Sequence, residues 1–253
     1  MKKVICVTVD LINADKPPAS LAFLAGACEY AKVDYQCISL NSRFLSELSK
    51  SDMDKIYNNL LKTGTTQEIV SILEPPLLNI IEDTKNYQPD LMLVSVFSLM
   101  QRPLARVFLE SLRKALPDLE IIIGGPGVSS TDEMGRTFGS ELLKNNLVDY
   151  YCLGEGDVVL PEFLKGNKNS LGINGKNTGP ESWVPQLDDL DNQFLLPSYK
   201  KIEVDNYHNL ELKNSAIFSI STSRGCVRDC SFCDVSNMWK KFRFRSGKNV
   251  ANE

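Results

Sequence analysis

Cys226, Cys230 and Cys233 stand three and then two residues apart in Ser223-Arg224-Gly225-Cys226-Val227-Arg228-Asp229-Cys230-Ser231-Phe232-Cys233. Thiolates are soft ligands suited to iron–sulfur clusters, and a loop this short can bring three of them to one cluster. Three cysteine ligands on a four-iron cluster leave one iron open to a ligand that is not protein. Zinc is the competing metal, but it usually takes four ligands, often from two paired knuckles. No second cysteine pair exists, and the one histidine, His208, lies in a polar loop 18 residues before Cys226. On spacing alone, a cluster, a zinc site completed by His208 and a vestigial or redox-sensing loop all stand open.

The other four cysteines, Cys6, Cys28, Cys37 and Cys152, are isolated from one another and read as small buried hydrophobes. With no secretion signal, a disulfide framework is not expected in a chain this large. The 253 residues can bury a sizeable core, and 43% hydrophobic with 24% charged content is ordinary for a globular protein. A net charge of −4 gives no reason to expect nucleic acid. No apolar run reaches the roughly 20 residues needed to cross a bilayer, and Asp10 interrupts the N-terminal apolar stretch. The expectation is a cytoplasmic protein with no membrane partner.

Short apolar strands alternate with helical segments up to about residue 165. Strands are expected at Val4–Val9, Tyr35–Leu40, Leu91–Val96, Leu119–Ile123 and Asp149–Leu153, and Leu91–Val96 is apolar enough to be covered on both faces. Helices are expected at Ala19–Lys32, at Phe44–Lys85 with breaks near Gly64 and at Pro75-Pro76, at Pro103–Ala115 and at Thr137–Lys144. Asp157 is expected to cap a last helix, Val158–Leu164. This pattern predicts a Rossmann-like (flavodoxin-like) α/β domain, a doubly wound parallel five-stranded sheet spanning residues 1–165. A linker over 166–215 follows, containing a Gly/Asn-rich boundary or loose hairpin at 166–180. The segment 216–253 opens with a strand-like run, Ala216–Ser221, and then carries the cysteine loop.

A doubly wound sheet binds ligands beyond the carboxyl ends of its strands. The loops expected there, Asp10–Pro18, Ser95–Arg102, Gly124–Ser130 and Gly154–Asp157, are rich in glycine and small residues, so a large ligand can approach the backbone. No Gly-x-Gly-x-x-Gly follows the first strand, which argues against a dinucleotide. The basic run Lys240–Lys248 reads as solvated surface.

Cys-x-x-x-Cys-x-x-Cys with Phe232 before the last cysteine resembles the signature of the radical S-adenosylmethionine (SAM) superfamily. The preceding Thr222-Ser223-Arg224-Gly225 and the downstream Phe242-Arg243-Phe244-Arg245-Ser246-Gly247 extend the resemblance. It implies that Cys226, Cys230 and Cys233 hold a 4Fe-4S cluster, that SAM chelates the open iron, and that one electron releases a 5′-deoxyadenosyl radical. Phe232 would lie beside the adenine and Gly225 would permit a tight approach to the cluster. Arg224 and Arg228 would either stabilise a reduced cluster or lie on the surface. No catalytic residue is expected beyond the cluster ligands.

Pro17–Ala25, Gln88–Leu91, Ile123-Gly124-Gly125-Pro126, Leu153-Gly154-Glu155-Gly156-Asp157 and Leu187–Asp191 together resemble the cobalamin-binding domain and connector found ahead of many radical SAM domains. Asp10, Ser95, Ser98, Gly124, Gly125, Gly154, Glu155 and Gly156 are the cofactor-binding candidates that this implies. Ser95 and Ser98 would line the tail pocket, and Gly124 and Gly125 would let the tail pass. The histidine-ligated form carries Asp-x-His-x-x-Gly, whereas Asp10 here is followed by Leu11-Ile12-Asn13-Ala14-Asp15, so the lower face of the corrinoid would have no histidine. Only the first strand, cluster loop and one helix start of a (β/α) barrel are present, which reads as a truncated barrel or one completed by a second chain. The complete enzyme is expected to transfer methyl to carbon on a small-molecule or peptide substrate. A flavodoxin or ferredoxin would supply its electrons, and this chain alone would be inactive. The rival expectations are a radical SAM enzyme whose domain no longer binds cobalamin, and a non-catalytic cobalamin- or metal-binding module.

Overall fold

Lys3–Val9 forms β1 and shows why the sheet has two faces. Ile5, Val7 and Val9 enter one apolar cluster while Val4 and Cys6 enter another, the period-two alternation of a strand buried on both sides. The computed structural model describes residues 1–10, 16–62, 65–131, 134–204, 207, 217–228, 230–233 and 235–253.

After β1 come α1 (Ala19–Ala31), β2 (Asp34–Ser39), α2 (Leu40–Glu47), α3 (Lys50–Lys62), α4 (Gln67–Tyr87) and β3 (Leu91–Val96). A short 3-10 turn leads into α5 (Arg102–Ala115), followed by β4 (Glu120–Gly124), α6 (Pro126–Ser129), α7 (Phe138–Lys144), β5 (Tyr150–Cys152) and α8 (Gly156–Leu164). The sheet order is β2-β1-β3-β4-β5, all parallel, with β6 (Ile173–Gly175) added antiparallel beside β5. The expected doubly wound sheet is therefore present, extended by a sixth strand from the Gly/Asn-rich stretch. The order in which strands are added across the sheet reverses between β1 and β3, the point where such sheets open a crevice.

α4 runs straight through Pro75 and Pro76, where a break was expected. The two prolines remove amide bonds to the Ser71 and Ile72 carbonyls, at about 3 kcal/mol each. Ile69, Leu73, Leu77, Ile80 and Ile81 are all buried, and each contributes about 1.5–3 kcal/mol. Burial outweighs the lost hydrogen bonds.

The linker does not hang free. Val184, Leu187, Leu190 and Phe194 are buried, and α9 (Leu190–Gln193) is capped by Asp189, which accepts from the amides of Asp191 and Asn192. The Leu196 carbonyl lies so close to Gly26 that a Cβ there would stand 2.1 Å away. The Ser198 amide donates to the Ala22 carbonyl at 2.8 Å. The linker thus wraps α1.

Of the expected strand over 216–221, residue 216 lies outside the described residues, and residues 217–221 pair with no strand among them. A barrel strand draws its hydrogen bonds from neighbours on both sides, and no such neighbour is present among the described residues. Instead β7 (Ser223–Arg224) pairs antiparallel with β8 (Arg243–Phe244), enclosing the cysteine loop and α10 (Val235–Met238), and α11 (Gly247–Asn252) follows.

Candidate cofactor site

At the carboxyl edge of the sheet, Gly125 turns the chain from β4 into α6 with φ +104°. A Cβ there would lie 2.5 Å from the Val96 carbonyl oxygen and 3.3 Å from the Ser95 Oγ, so only glycine fits. Gly154 leaves β5 at φ +98° and packs within 3.1 Å of the Val184 carbonyl by the same measure. A Cβ on Gly156, in contrast, would meet nothing nearer than Leu160 of its own helix at 3.9 Å. That opening belongs to a cavity of about 160 Å³ lined by Ser95, Gly124, Gly125, Gly154, Gly156 and Leu195. It adjoins a wider cleft of about 570 Å³, with Ser95, Gly154, Gly156, Asp157 and Arg224 lining both. Phe97, Trp183, Ile220 and Trp239 add apolar wall to the cleft.

Asp10 and Ser98 lie apart from both cavities. The Asp10 carboxylate accepts from Ser39 Oγ at 3.1 and 3.2 Å and from the Asn41 amide at 3.4 Å, at the end of β2. Burial pushes its carboxyl from 3.8 up to about 7, against the hydrogen bonds from Ser39 and Asn41. The fold therefore prefers the protonated form. Its contribution is fully present below pH 3.8 and is lost as pH rises toward about 7, by at most about 4 kcal/mol. Asp10→Asn is expected to flatten this part of the profile, so that Tm of the variant falls less than that of the parent between pH 4 and pH 8. Ser98 begins the 3-10 turn, and its backbone amide donates to the Gln101 side chain at 3.1 Å.

Glu155 and Asp157 are the acids of the turn into α8, and neither caps it. Gly156 is already helical, and the Asp157 carboxylate instead takes a two-pronged contact from Arg224, at 2.8 and 2.9 Å, while accepting from the Leu195 amide at 3.1 Å. Glu155 takes Arg243 in the same forked way at 2.7 and 2.9 Å, Arg224 at 3.2 Å and the Leu187 amide at 2.7 Å. Burial works against its ionised form. The Arg243 hydrogen bond, the Leu187 amide and the two guanidinium charges outweigh that and hold its carboxyl below the usual range. Both carboxylate oxygens of Glu155 accept from protein donors, and through them it holds the β7–β8 hairpin while lining the wider cleft. Arg224 is not on the surface, and the basic run is not wholly solvated, because Arg243 and Arg245 are buried. Arg245 donates to Ser221, Asn249 and Glu253, and its guanidinium stacks 4.3 Å from the Phe194 ring centre.

Gly225, at φ +84°, brings the chain against the Lys241 carbonyl, where a Cβ would lie 2.2 Å away. Its close approach is to backbone. Cys226 is exposed, and Cys230 and Cys233 are half-buried. The Cys233 amide donates to the Cys230 carbonyl at 3.0 Å, and the Arg228 amide donates to Cys226 Sγ at 3.4 Å. No three histidine, cysteine, aspartate or glutamate side chains converge as a metal site among the described residues. The donor set still suits a four-iron cluster: three soft ligands in one loop, with an amide aimed at one sulfur. Phe232 is 90% exposed, leaving a whole ring face for a flat ligand. His208 lies outside the described residues, as does the loop 11–15.

Sequence reasoning missed the Glu155–Arg243 and Asp157–Arg224 pairs, whose members lie 88 and 67 residues apart. The only signal was two arginines flanking a cysteine loop and two acids flanking a glycine turn.

No family model matches the chain. It is 24% identical over 225 residues to an uncharacterized methyltransferase of Pyrococcus horikoshii, covering 85% of this chain and 44% of that protein. The structure of the radical SAM methyltransferase TsrM from Kitasatospora setae, with cobalamin and a [4Fe-4S] cluster bound, superposes with a TM-score of 0.57 at 16% identity, covering 100% of this chain and 46% of TsrM. The cobalamin-dependent SAM radical enzyme OxsB gives a TM-score of 0.62 at 17% identity, covering 100% and 31%. These likenesses establish a shared fold and agree with the superfamily that the cysteine motif resembles. The chain spans less than half the length of these proteins. No helix among the described residues is long and apolar enough to cross a membrane.

Proposed function

We propose that this chain is the N-terminal, cofactor-carrying part of a cobalamin-dependent radical SAM enzyme whose complete form methylates carbon. The observation that carries this reading is one cleft with two kinds of wall. Ser95, Gly154 and Gly156 from the sheet edge face it, and so do Arg224 and Gly225, which lead directly into Cys226. Cys226, Cys230 and Cys233 would hold the cluster, and Phe232 would lie flat against adenine. Ser95, Gly124, Gly125, Gly154 and Gly156 would admit the corrinoid tail to the inner cavity. When bound, the cluster and SAM supply a hydrogen-abstracting radical, and cobalamin supplies the methyl group.

The chain's own part is to bind, orient and shield. Phe97, Trp183 and Trp239 give the cleft apolar walls against which a large ligand can bury itself, and the glycine turns let it lie on backbone. The described residues form no closed barrel. Further strands, in a longer chain or a second one, would bind the substrate, with a flavodoxin or ferredoxin as electron source. Equilibrium dialysis of hydroxocobalamin against the oxygen-free protein tests the cobalamin half. One corrinoid per chain is expected; iron retained without corrinoid would instead favour a radical SAM protein whose domain has lost cobalamin.

A further inference from the structure

Four buried charged side chains join the sheet domain to the cysteine loop, and they do so at the cavity wall. Arg224 and Arg243 are register partners across β7–β8, so one hairpin presents both guanidinium groups together. Glu155 and Asp157 receive them from the turn into α8, and all four side chains are at most 13% exposed. Two charges of each sign cancel, and both forks are two-pronged, a geometry that fixes orientation as well as distance. Phe194 completes the seat, with the Arg224 and Arg245 guanidinium groups 4.9 and 4.3 Å from its ring centre. Hairpins can be docked by apolar contacts alone. Buried ion pairs offer little net stability over such contacts, but they penalise any displaced arrangement heavily.

The position of this network matters more than its strength. Asp157 and Arg224 line the inner cavity, and Glu155, Asp157, Arg224 and Gly225 line the cleft, while Arg224 stands two residues before Cys226. We infer that the Glu155–Asp157–Arg224–Arg243 network is a latch that couples occupation of the sheet-edge cavity to the position of the cysteine loop, with Arg224 and Asp157 as its positioning residues. An occupant resting on Asp157 and Arg224 favours the docked hairpin, and a docked hairpin completes the occupant's wall. By linkage each must favour the other by the same factor. The latch itself stands on the contacts just described; that a corrinoid is the occupant rests on the proposed function.

The test reads the reactivity of the loop thiols in cluster-free, reduced full chain. N-ethylmaleimide labelling of the peptide bearing Cys226, Cys230 and Cys233 is timed by mass spectrometry, with and without hydroxocobalamin. Corrinoid binding is followed separately in the visible spectrum, and near-UV circular dichroism confirms that each variant is folded. In the parent chain, hydroxocobalamin is expected to slow labelling at least fivefold. In Arg224→Gln and Asp157→Asn that protection is expected to shrink to less than twofold, and Arg224→Lys, which keeps the charge but not the fork, to restore only part of it. Labelling without ligand is expected to be at least threefold faster in Arg224→Gln than in the parent. Equal protection in parent and variants, or bound corrinoid with no protection in the parent, overturns the coupling. If the spectrum shows no corrinoid bound to the parent, the cobalamin reading fails instead, and the ligand-free rates decide whether the network holds the cysteine loop: faster labelling in Arg224→Gln upholds that part, and equal labelling overturns the latch.

Discussion

Glu155→Ala is expected to undock the β7–β8 hairpin. The substitution leaves the Arg243 guanidinium buried with the Leu187 carbonyl as its remaining close partner outside its own hairpin, and stranding one member of a buried pair costs about 3–5 kcal/mol. Hydrogen exchange over residues 217–253 reads this loss, with protection falling there and holding over β1, β3 and β4. The double variant Glu155→Leu/Arg243→Met is expected to regain most of it, because apolar replacement removes both charges together. Since its neighbours hold the Glu155 carboxyl below the ordinary 4.5, the contribution of the pair is present above that pH and fades as pH falls further. Hairpin protection that is unchanged in Glu155→Ala would contradict this account of the junction.

The second large effect concerns the inner cavity, where two glycines separate folding from binding. Gly125→Ala puts a side chain 2.5 Å from the Val96 carbonyl at a φ that L-residues avoid. Backbone strain and overlap together cost about 2–5 kcal/mol, and Tm falls accordingly. Gly156→Leu meets no such wall, so its stability is expected to stay within about 1 kcal/mol of the parent. The leucine nevertheless occupies the opening shared by cavity and cleft. Hydroxocobalamin affinity is expected to drop at least tenfold in Gly156→Leu with little change in Tm. Full affinity in that variant would place any corrinoid elsewhere.

The sheet was legible because parallel strands covered on both faces leave unbroken apolar runs such as Leu91–Val96, and glycines mark where β4 and β5 end. The inner cavity was legible for the same reason: Gly124, Gly125, Gly154 and Gly156 sit at strand ends, and the structure gathers them with Ser95 around one space. The continuity of α4 through Pro75-Pro76 was not legible, because tertiary burial decides it and local propensity argues the other way. Asp157 misled in a similar manner. An acid before an apolar run reads as a helix cap until a distant arginine claims it. The Glu155 pairing with Arg243 was not legible either, since nothing local in the sequence announces a partner 88 residues away. The cysteine spacing was plain from the outset, and what it holds is a matter for chemistry.

Iron and acid-labile sulfide in oxygen-free preparations test that chemistry most directly. About four of each per chain are expected in the parent, as a cubane cluster requires, with both falling to near zero in Cys226→Ala, Cys230→Ala and Cys233→Ala alike. Stoichiometric zinc in place of iron, or iron and sulfide that survive all three substitutions, would contradict the account.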